Sequence, residues 1–298
     1  MRKLREFTTS PAGWHAVAAT DPRDTVASVG HPTEHGTQVD DDSPDHANPT
    51  ARTLGLPQSI TACLFDLDGV LTQTAKVHFV AWKEMFDAFL RARATRTGEP
   101  FRPFEAADYA AYVDGKLRHD GVRSFLTSRD IALAEGSEDD PPEVDTVHGL
   151  GTRKNDMVLA ILERDGVEVY PASVTYLEAC RRAGLRRALV TSSRNGHAVL
   201  RAAGLTDMFD AVVDGEVAAA KALAGKPAPD MFVEAATQVG VTPAQAAVFE
   251  DAVSGVAAGR AGGFGWVVGV DRMDQAAELS AHGADVVVAD LSELTVAG

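Results

Sequence analysis

The sequence predicts an α/β protein, a doubly wound parallel sheet with a block of helices inserted after its first strand. Short Val-rich runs alternate with segments of helical periodicity from Pro171 to the end of the chain. A further apolar run precedes the acidic stretch FDLDG at residues 65–69, and only helical periodicity is apparent between residues 75 and 165. Alternation of short buried strands with helices is typical of a parallel sheet that is covered on both faces.

Residues 1–57 have a different composition from the rest of the chain. They are rich in Thr, Pro, Asp, Gly and His, and they show no sustained hydrophobic period. Such a segment cannot bury enough apolar surface to offset the loss of chain entropy on folding. We therefore predict a disordered N-terminal extension over residues 1–57.

The first strand is predicted over residues 59–66, and a long helix follows over residues 75–94. Apolar side chains recur on one side of this helix at Val77, Val80, Ala81, Met85, Ala88 and Phe89. That spacing is typical of an amphipathic helix. Further helical segments lie within residues 104–165, so a helical cap domain is predicted for residues 75–167.

The remaining strands and helices alternate in the C-terminal part of the chain. The predicted helices cover residues 173–183, 195–203, 229–239, 254–261 and 273–281, and the predicted strands cover residues 187–191, 211–213, 247–250, 266–270 and 285–289. Together with the first strand they would form one α/β core domain, made of residues 58–74 and 168–298.

Composition limits the kinds of partner that the protein can have. The net charge is −15 and the isoelectric point is about 5.0, which argues against nucleic acids and anionic membranes as partners. No apolar run reaches the roughly 18 residues of a membrane-spanning helix, and no signal peptide is apparent. The two cysteines, Cys63 and Cys180, lie in apolar segments and are expected to be reduced core thiols in a cytoplasmic protein.

Polar side chains cluster where the predicted strands end, which is where ligands bind in such sheets. The first strand ends in Asp66 and Asp68, the next predicted strand ends in Thr191, Lys226 lies in a loop, and Glu250-Asp251 end a later strand. Carboxylates that meet at one point repel each other unless a cation lies among them, and a set of oxygen ligands suits Mg²⁺. A hydroxyl and an ammonium group are suited to binding the oxygens of a phosphoryl group.

The pair Asp66 and Asp68 can share two chemical roles. Residues i and i+2 lie on one face of a strand, and Gly69 lets the chain turn away so that both acids approach the same centre. With a metal ion and a lysine to spread the charge, one carboxylate can act as a nucleophile on phosphorus. The second can move the proton of the attacking or leaving oxygen.

These residues also carry a family resemblance. FDLDGVLT, the strand ending in VTSS, GKPAPDMF and VFEDAVSG resemble the four motifs of the haloacid dehalogenase (HAD) superfamily of phosphotransferases, in their usual order. The resemblance implies a Rossmann-like core and an aspartyl-phosphate intermediate. It assigns the nucleophile to Asp66, the general acid/base to Asp68, phosphate binding to Thr191 and Lys226, and a magnesium site to Asp66, Asp68, Glu250 and Asp251.

Within that superfamily the sequence is most similar to the β-phosphoglucomutase subfamily, which carries a helical cap at this point. That resemblance implies interconversion of β-glucose 1-phosphate and glucose 6-phosphate through a bisphosphate, with Mg²⁺ as cofactor and a sugar bisphosphate as activator. A second phosphate site is needed, for which Arg118, Arg194 and Asn195 are candidates. The full set of substrate-binding candidates is Thr74, His78, Trp82, Gly115, Arg118, Lys154, Thr191, Ser192, Ser193, Arg194, Asn195 and Lys226.

Several alternatives stay open from the sequence. The same core could hydrolyse the aspartyl-phosphate, which would make the protein a sugar-phosphate phosphatase. A non-catalytic sugar-phosphate sensor is a further alternative, although no core group is missing. His78 and Trp82 could simply pack inside the cap. We expect a small-molecule sugar phosphate as partner, no nucleic acid or membrane, and a monomer.

Overall fold

A computed structural model describes residues 50–295. We predicted disorder for residues 1–57. Residues 1–49 lie outside the described residues, and for residues 51–56 the prediction is wrong. Ala51–Leu54 forms a 3-10 helix, and the side chains of Leu54 and Leu56 are buried. The hydroxyl of Tyr176 donates a hydrogen bond to the carbonyl oxygen of Leu54 at 2.7 Å. Two leucines therefore anchor a segment whose overall composition resembles a disordered tail.

The core is a parallel sheet of six strands in the order β3-β2-β1-β4-β5-β6. The fold class predicted from the sequence is confirmed. The strands are β1 (Ala62–Phe65), β2 (Arg186–Val190), β3 (Ala211–Val213), β4 (Ala246–Glu250), β5 (Trp266–Val270) and β6 (Val286–Val288). The order reverses at β1, which pairs with β2 on one side and with β4 on the other. Such a reversal opens a crevice beyond the carboxyl ends of the strands.

Helices cover both faces of the sheet, because successive side chains of each strand point to opposite faces. The helices of the core are α5 (Pro171–Arg182), α6 (Gly196–Ala203), α7 (Gly215–Lys221), α8 (Asp230–Gln238), α9 (Val253–Ala261) and α10 (Ala276–Ala281). On one face Phe65 stacks on Phe249 at 4.5 Å between ring centroids, beside α5 and α6. On the other face Leu64 packs with residues of the remaining four helices. Both cysteines are buried and free.

Helices also fill the chain between β1 and α5. They are α1 (Thr74–Thr97), α2 (Ala106–Asp108), a π-helical turn (Tyr109–Val113), α3 (Arg118–Ser128) and α4 (Val147–Asp165). Their apolar side chains form a cluster of their own around Phe86, Phe104 and Phe125. The predicted insertion of helices is thus present, while the exact boundaries of the cap domain remain a prediction. Within residues 50–295 no helix is long and apolar enough to cross a membrane.

Two local differences from the predicted elements have simple causes. α7 was not predicted, and it begins where the carboxylate of Asp214 accepts hydrogen bonds from the amides of Glu216 and Val217. α10 begins at Ala276 instead of residue 273. The carboxylate of Asp271 accepts from the amides of Met273 and Gln275 and so holds the intervening residues in a turn.

Candidate active site

The carboxyl ends of β1 and β4 bring three acids together. Asp66 follows β1, and Glu250 and Asp251 lie at the end of β4. One carboxylate oxygen of each lies within 4.8 Å of the others, and all three side chains are buried. Burial raises the pKa of Asp66 and of Asp251 well above the usual value, and the neighbouring acids add to both shifts. The three carboxylates of the cluster can therefore be ionised together only if positive charge lies close to them.

Lys226 supplies part of that charge. Its ammonium lies 2.5 Å from Oδ1 of Asp66 and also donates to Oε1 of Glu250. The lysine side chain is fully buried. Burial alone would lower the pKa of Lys226, but the two carboxylates raise it above its ordinary value. Lys226 is therefore a buried cation beside the acid cluster, and its hydrogen bond fixes the position of one oxygen of Asp66.

Asp68 has a different environment from Asp66. Its carboxylate accepts hydrogen bonds from the hydroxyls of Thr74 and Thr191, the latter at 3.2 Å, and it lies 3.4 Å from Nε2 of His78. Burial would raise the pKa of Asp68, but His78 and the Thr74 hydroxyl lower it below the usual range. These contacts thus favour the ionised form of Asp68.

The turn after Asp66 requires a glycine. Gly69 has φ of +92°, and a Cβ placed there would lie 1.7 Å from Oδ2 of Asp251. The amides of Leu71 and Thr72 both donate to the carbonyl oxygen of Leu67, so the chain reverses at once. This turn places Asp68 beside the acid cluster, as the FDLDG pattern predicts.

His78 and Lys154 approach Asp68 from the helical cap. Nζ of Lys154 lies 2.6 Å from Nδ1 of His78 and 4.9 Å from the ring centroid of Trp82. Burial, and then the charge of Arg118, lowers the pKa of Lys154 to about 7. Burial and Lys154 also lower the pKa of His78, although Asp68 opposes that shift. These groups form a chain from Lys154 through His78 to Asp68. Trp82 is buried against Phe86, at 5.2 Å between ring centroids, and it also lines the central cavity, which lies between the cap and the strand ends.

Asn155 joins the cap to the loop after β2. Its side-chain oxygen accepts hydrogen bonds from Nη2 of Arg118 at 2.7 Å and from Nδ2 of Asn195 at 2.9 Å. Burial, and then the charge of Arg194, lowers the pKa of Arg118 to about 10. Sequence patterns placed Arg118 and Asn195 near each other but did not identify Asn155 as the residue that connects them.

Some predicted substrate residues lie outside the central cavity. Arg194 pairs with Glu138 at 2.9 Å and with Glu216 at 3.6 Å, and it lines a neighbouring cavity. Ser192 lines the central cavity, but its hydroxyl donates a hydrogen bond to the carbonyl oxygen of Gly115 at 2.6 Å. Thr74, Thr191 and Lys226 do not line the cavity; their polar groups bond the acids that do.

The central cavity is lined by residues of both the cap and the core. Of the predicted residues, it brings together Asp66, Asp68, His78, Trp82, Gly115, Arg118, Lys154, Ser192, Ser193, Asn195, Glu250 and Asp251. Sequence reasoning did not place Tyr109, Val113, Asp114, Lys116 or Ala252 there. Burial, and then the charge of Asp114, raises the pKa of Tyr109, and burial raises the pKa of Asp114 to about 7.

A doubly wound sheet whose strand ends hold buried carboxylates under a helical cap defines an α/β enzyme built around an acidic centre. Residues 60–263 match the sequence model of the haloacid dehalogenase-like hydrolase family. The chain belongs to that family.

Relatives of known name cover most of the chain. It is 57% identical over 255 residues to proteins named beta-phosphoglucomutase from Mycobacterium tuberculosis and Mycobacterium bovis, covering 84% of this chain and 97% of each relative. It is 32% identical over 236 residues to the Bacillus subtilis protein of the same name, covering 79% of this chain and 92% of that one. A crystal structure of beta-phosphoglucomutase from Clostridium difficile matches with a TM-score of 0.62 at 23% identity, covering 79% of this chain and 93% of that one.

Members of this family generally use Mg²⁺, and the donor set fits that ion. Asp66, Glu250 and Asp251 offer oxygen ligands only, at the point where burial and mutual repulsion raise the pKa of Asp66 and Asp251. The predicted metal set also contained Asp68. Its side chain is not part of this cluster within the described residues, because Thr74 and Thr191 engage its oxygens and His78 lies beside it.

Proposed function

We propose that this protein transfers a phosphoryl group through an aspartyl-phosphate formed on Asp66. The observation that carries the proposal is the contrast between two acids that are two residues apart. Asp66 is held by the Lys226 ammonium at the acid cluster, whereas Asp68 is held by hydroxyl donors at the entrance to the cap. One acid is placed to bond to phosphorus and the other to exchange a proton.

The two carboxylates divide each transfer step. A carboxylate oxygen of Asp66 attacks phosphorus, the bond between phosphorus and the sugar oxygen breaks, and Asp68 in its protonated form gives that oxygen a proton. In the reverse half, a sugar hydroxyl attacks the phosphoryl group, its proton passes to Asp68, and the electron pair of the breaking bond returns to Asp66. Bound Mg²⁺ would supply positive charge beside the phosphoryl oxygens. Lys226 compensates the negative charge of Asp66 and Glu250 throughout.

For the substrate, we propose β-glucose 1-phosphate and glucose 6-phosphate, interconverted through a bisphosphate that also acts as activator. The relatives at 57% identity carry the name beta-phosphoglucomutase, and the similarity extends over 97% of each relative. Arg118 and Asn195 both line the cavity and meet at Asn155, and we propose that they bind the second phosphate.

The proposal extends to the organisation of the protein. Residues 58–74 and 168–298 would act as the core domain and residues 75–167 as a cap that closes over the substrate. A monomer in the cytoplasm would suffice, because one chain supplies every group named above and both cysteines are free thiols.

A phosphatase is the second candidate. Asp68 could accept a proton from water as readily as from a sugar hydroxyl, and the matching family is described as one of hydrolases. The two functions differ only in what attacks the aspartyl-phosphate.

Phosphorus NMR separates the two functions. The protein is incubated with Mg²⁺, β-glucose 1-phosphate and a trace of glucose 1,6-bisphosphate. Glucose 6-phosphate as the main product, with at most a small amount of inorganic phosphate, is the expected result, and inorganic phosphate as the main product would replace the mutase by a phosphatase. The Asp66→Asn variant should form neither product, because it cannot be phosphorylated. Turnover by that variant would contradict the proposal that an aspartyl-phosphate forms on Asp66.

A further inference from the structure

Two serines of the core hold one short segment of the cap. The hydroxyl of Ser254 donates to the carbonyl oxygen of Asp114 at 2.7 Å, and the hydroxyl of Ser192 donates to that of Gly115 at 2.6 Å. Ser254 lies in the first turn of α9, just after the acids of β4, whereas Ser192 follows β2. Two hydroxyls from separate core elements thus bind consecutive main-chain carbonyls of the cap.

The fit around these hydrogen bonds is tight. Gly115 has φ of +70°, and a Cβ there would lie 2.3 Å from Oγ of Ser254. Two residues further on, Leu117 packs against the apolar cluster of the core, and a Cβ on Gly225 would lie 2.6 Å from Cγ of Leu117. Gly225 immediately precedes Lys226. The segment 114–117 therefore rests on the loops that carry the proposed active-site groups.

These hydrogen bonds depend on the position of the cap. The donors belong to the core and the acceptors belong to the cap, so both bonds break if the segment 114–117 moves away. The backbone of the segment has further partners inside the cap, since the amide of Asp114 donates to Tyr109 and that of Lys116 to Val113. The segment can thus move as one piece with the cap.

We propose that Ser192 and Ser254 are positioning residues whose hydroxyls hold the cap closed and thereby decide whether the aspartyl-phosphate meets a sugar or water. The second part of this inference, the choice between sugar and water, rests on the proposed function. The first part, the docking of residues 114–117, stands on the two hydrogen bonds alone. Ser192 then acts through Gly115 in place of the substrate contact that the sequence predicts.

The competing reaction is a simple hydrolysis. The oxygen of a water molecule bonds to phosphorus, the bond between phosphorus and Asp66 breaks with its electron pair returning to the carboxylate, and the water proton passes to Asp68. Inorganic phosphate is released, and no oxidant or further reactant is needed. Bulk water reaches the centre only when the cap is lifted, whereas transfer to the sugar needs the closed cavity. The ratio of phosphate to glucose 6-phosphate therefore follows the ratio of open to closed molecules.

The expected effect follows from the net strength of a hydrogen bond. Removing one of the two bonds should raise the open-to-closed ratio roughly 2- to 12-fold, because both partners find water when the cap opens. The variants Ser192→Ala and Ser254→Ala should each raise the phosphate-to-product ratio in that range, and the double variant should raise it by about the product of the two single effects, roughly 5- to 150-fold. The variants Ser192→Thr and Ser254→Thr keep the hydroxyl and should recover a lower ratio.

A matched control removes a hydroxyl that has no such partner. Ser173 is buried in α5, and its hydroxyl has no hydrogen-bond partner among the described residues. Ser173→Ala should leave the ratio unchanged. A double variant Ser192→Ala and Ser254→Ala with the same ratio as the wild type, measured by phosphorus NMR under the conditions given above, would overturn the inference.

A second measurement tests the docking without any substrate. Hydrogen–deuterium exchange of the backbone amides in residues 109–117 should be faster in the double variant than in the wild type and in Ser173→Ala. Unchanged exchange would overturn the docking role. The exchange could be faster in the double variant while the wild type releases only inorganic phosphate or forms no product. That combination would support the docking of residues 114–117, and it would overturn both the proposed mutase function and the claim that the docking decides between sugar and water.

Discussion

The ammonium of Lys226 lies 2.5 Å from Oδ1 of Asp66, and the two residues stand 160 positions apart in the chain. Both side chains are buried, and the same ammonium also bonds Glu250. A single lysine thus compensates two carboxylates that have little access to solvent. The first prediction concerns the consequence of removing it.

Lys226→Met should lower the free energy of unfolding by about 3–5 kcal/mol, because it leaves buried carboxylates without their partner. The measurement is urea unfolding in EDTA at neutral pH. Lys221→Met is the matched control, since Lys221 pairs with Glu234 at 2.5 Å while its side chain is half exposed. That control should lose no more than about 1 kcal/mol. Equal losses in the two variants would contradict a special role of the buried ammonium.

A second prediction concerns metal binding by the acid cluster of Asp66, Glu250 and Asp251. In metal-free buffer Asp251→Asn should unfold at a higher temperature than the wild type, because it removes one of the mutually repelling carboxylates. With Mg²⁺ at about 100 times its dissociation constant the wild type should gain about 2.7 kcal/mol, and the order of the two proteins should reverse. Thermal unfolding over a range of Mg²⁺ concentrations gives both quantities.

The control for this prediction is an acid outside the cluster. Asp274 is exposed and has φ of +55°, a conformation that asparagine tolerates. Asp274→Asn should keep the full response to Mg²⁺. An Asp251→Asn variant with an equal response would show that Mg²⁺ binds elsewhere.

Lys154 makes a third prediction, on the pH dependence of stability. Burial and the charge of Arg118 lower its pKa from 10.5 to about 7 in the folded protein, with His78 and Asp68 as its other charged or titratable neighbours. Below pH 7 the lysine is protonated in both states, and the cost of burying the cation is fully present. Between pH 7 and 10.5 only the unfolded chain holds that proton, so stability rises with pH by up to about 1.4 kcal/mol per unit.

Two variants of Lys154 test the sign. Lys154→Met lacks the buried cation, so it should be more stable than the wild type at pH 6.5, and the difference should shrink at pH 7.5 and 8.5. Lys154→Arg keeps its charge at every pH, so it should match the wild type at pH 6.5 and fall behind as the pH rises. Urea unfolding in EDTA at the three pH values measures both trends, and differences that do not change with pH would contradict the lowered pKa of Lys154.

The sequence predicted the sheet and the strand-end groups because both depend on local patterns. Alternating apolar runs identify the strands, and parallel strands bring their carboxyl ends to one edge, so Asp66 and Asp251 had to meet. The reversal of strand order at β1 adds what the pattern lacks, namely that β2 and β4 both flank β1.

The orientation of the loop after β2 could not be predicted in this way. Ser192 lines the cavity, yet its hydroxyl bonds Gly115. Arg194 stands between two cavity residues in the sequence, yet it pairs with Glu138. Each of these partners lies in the cap, more than 50 residues away. Which side chains of a loop face the cavity depends on how two distant segments pack, and hydrophobic periodicity contains no information on that. Leu54 and Leu56 were missed for a similar reason, because their partner Tyr176 lies over 100 residues later.

Arg272 makes the last prediction, because it connects the turn after Asp68 to the far edge of the sheet. Its Nε donates to the carbonyl oxygen of Gly69 at 2.8 Å and its Nη1 to that of Ala289 at 2.7 Å, while the guanidinium lies 3.7 Å from the ring centroid of Tyr170. A lysine cannot reproduce this planar arrangement of two donors. Arg272→Lys should therefore loosen the Gly69 turn and displace Asp68 relative to Asp66.

The expected result is a fall in kcat of about 10- to 100-fold with little change in KM, since a small displacement of a reacting group is costly while the sugar contacts remain. Arg260 provides the control, because it also makes two hydrogen bonds, to the carbonyl oxygen of Gly283 and to Asp285, at the opposite end of β5. Arg260→Lys should lower the unfolding temperature but leave kcat unchanged. If Arg272→Lys behaves in the same way, Arg272 stabilises the fold and does not position Asp68.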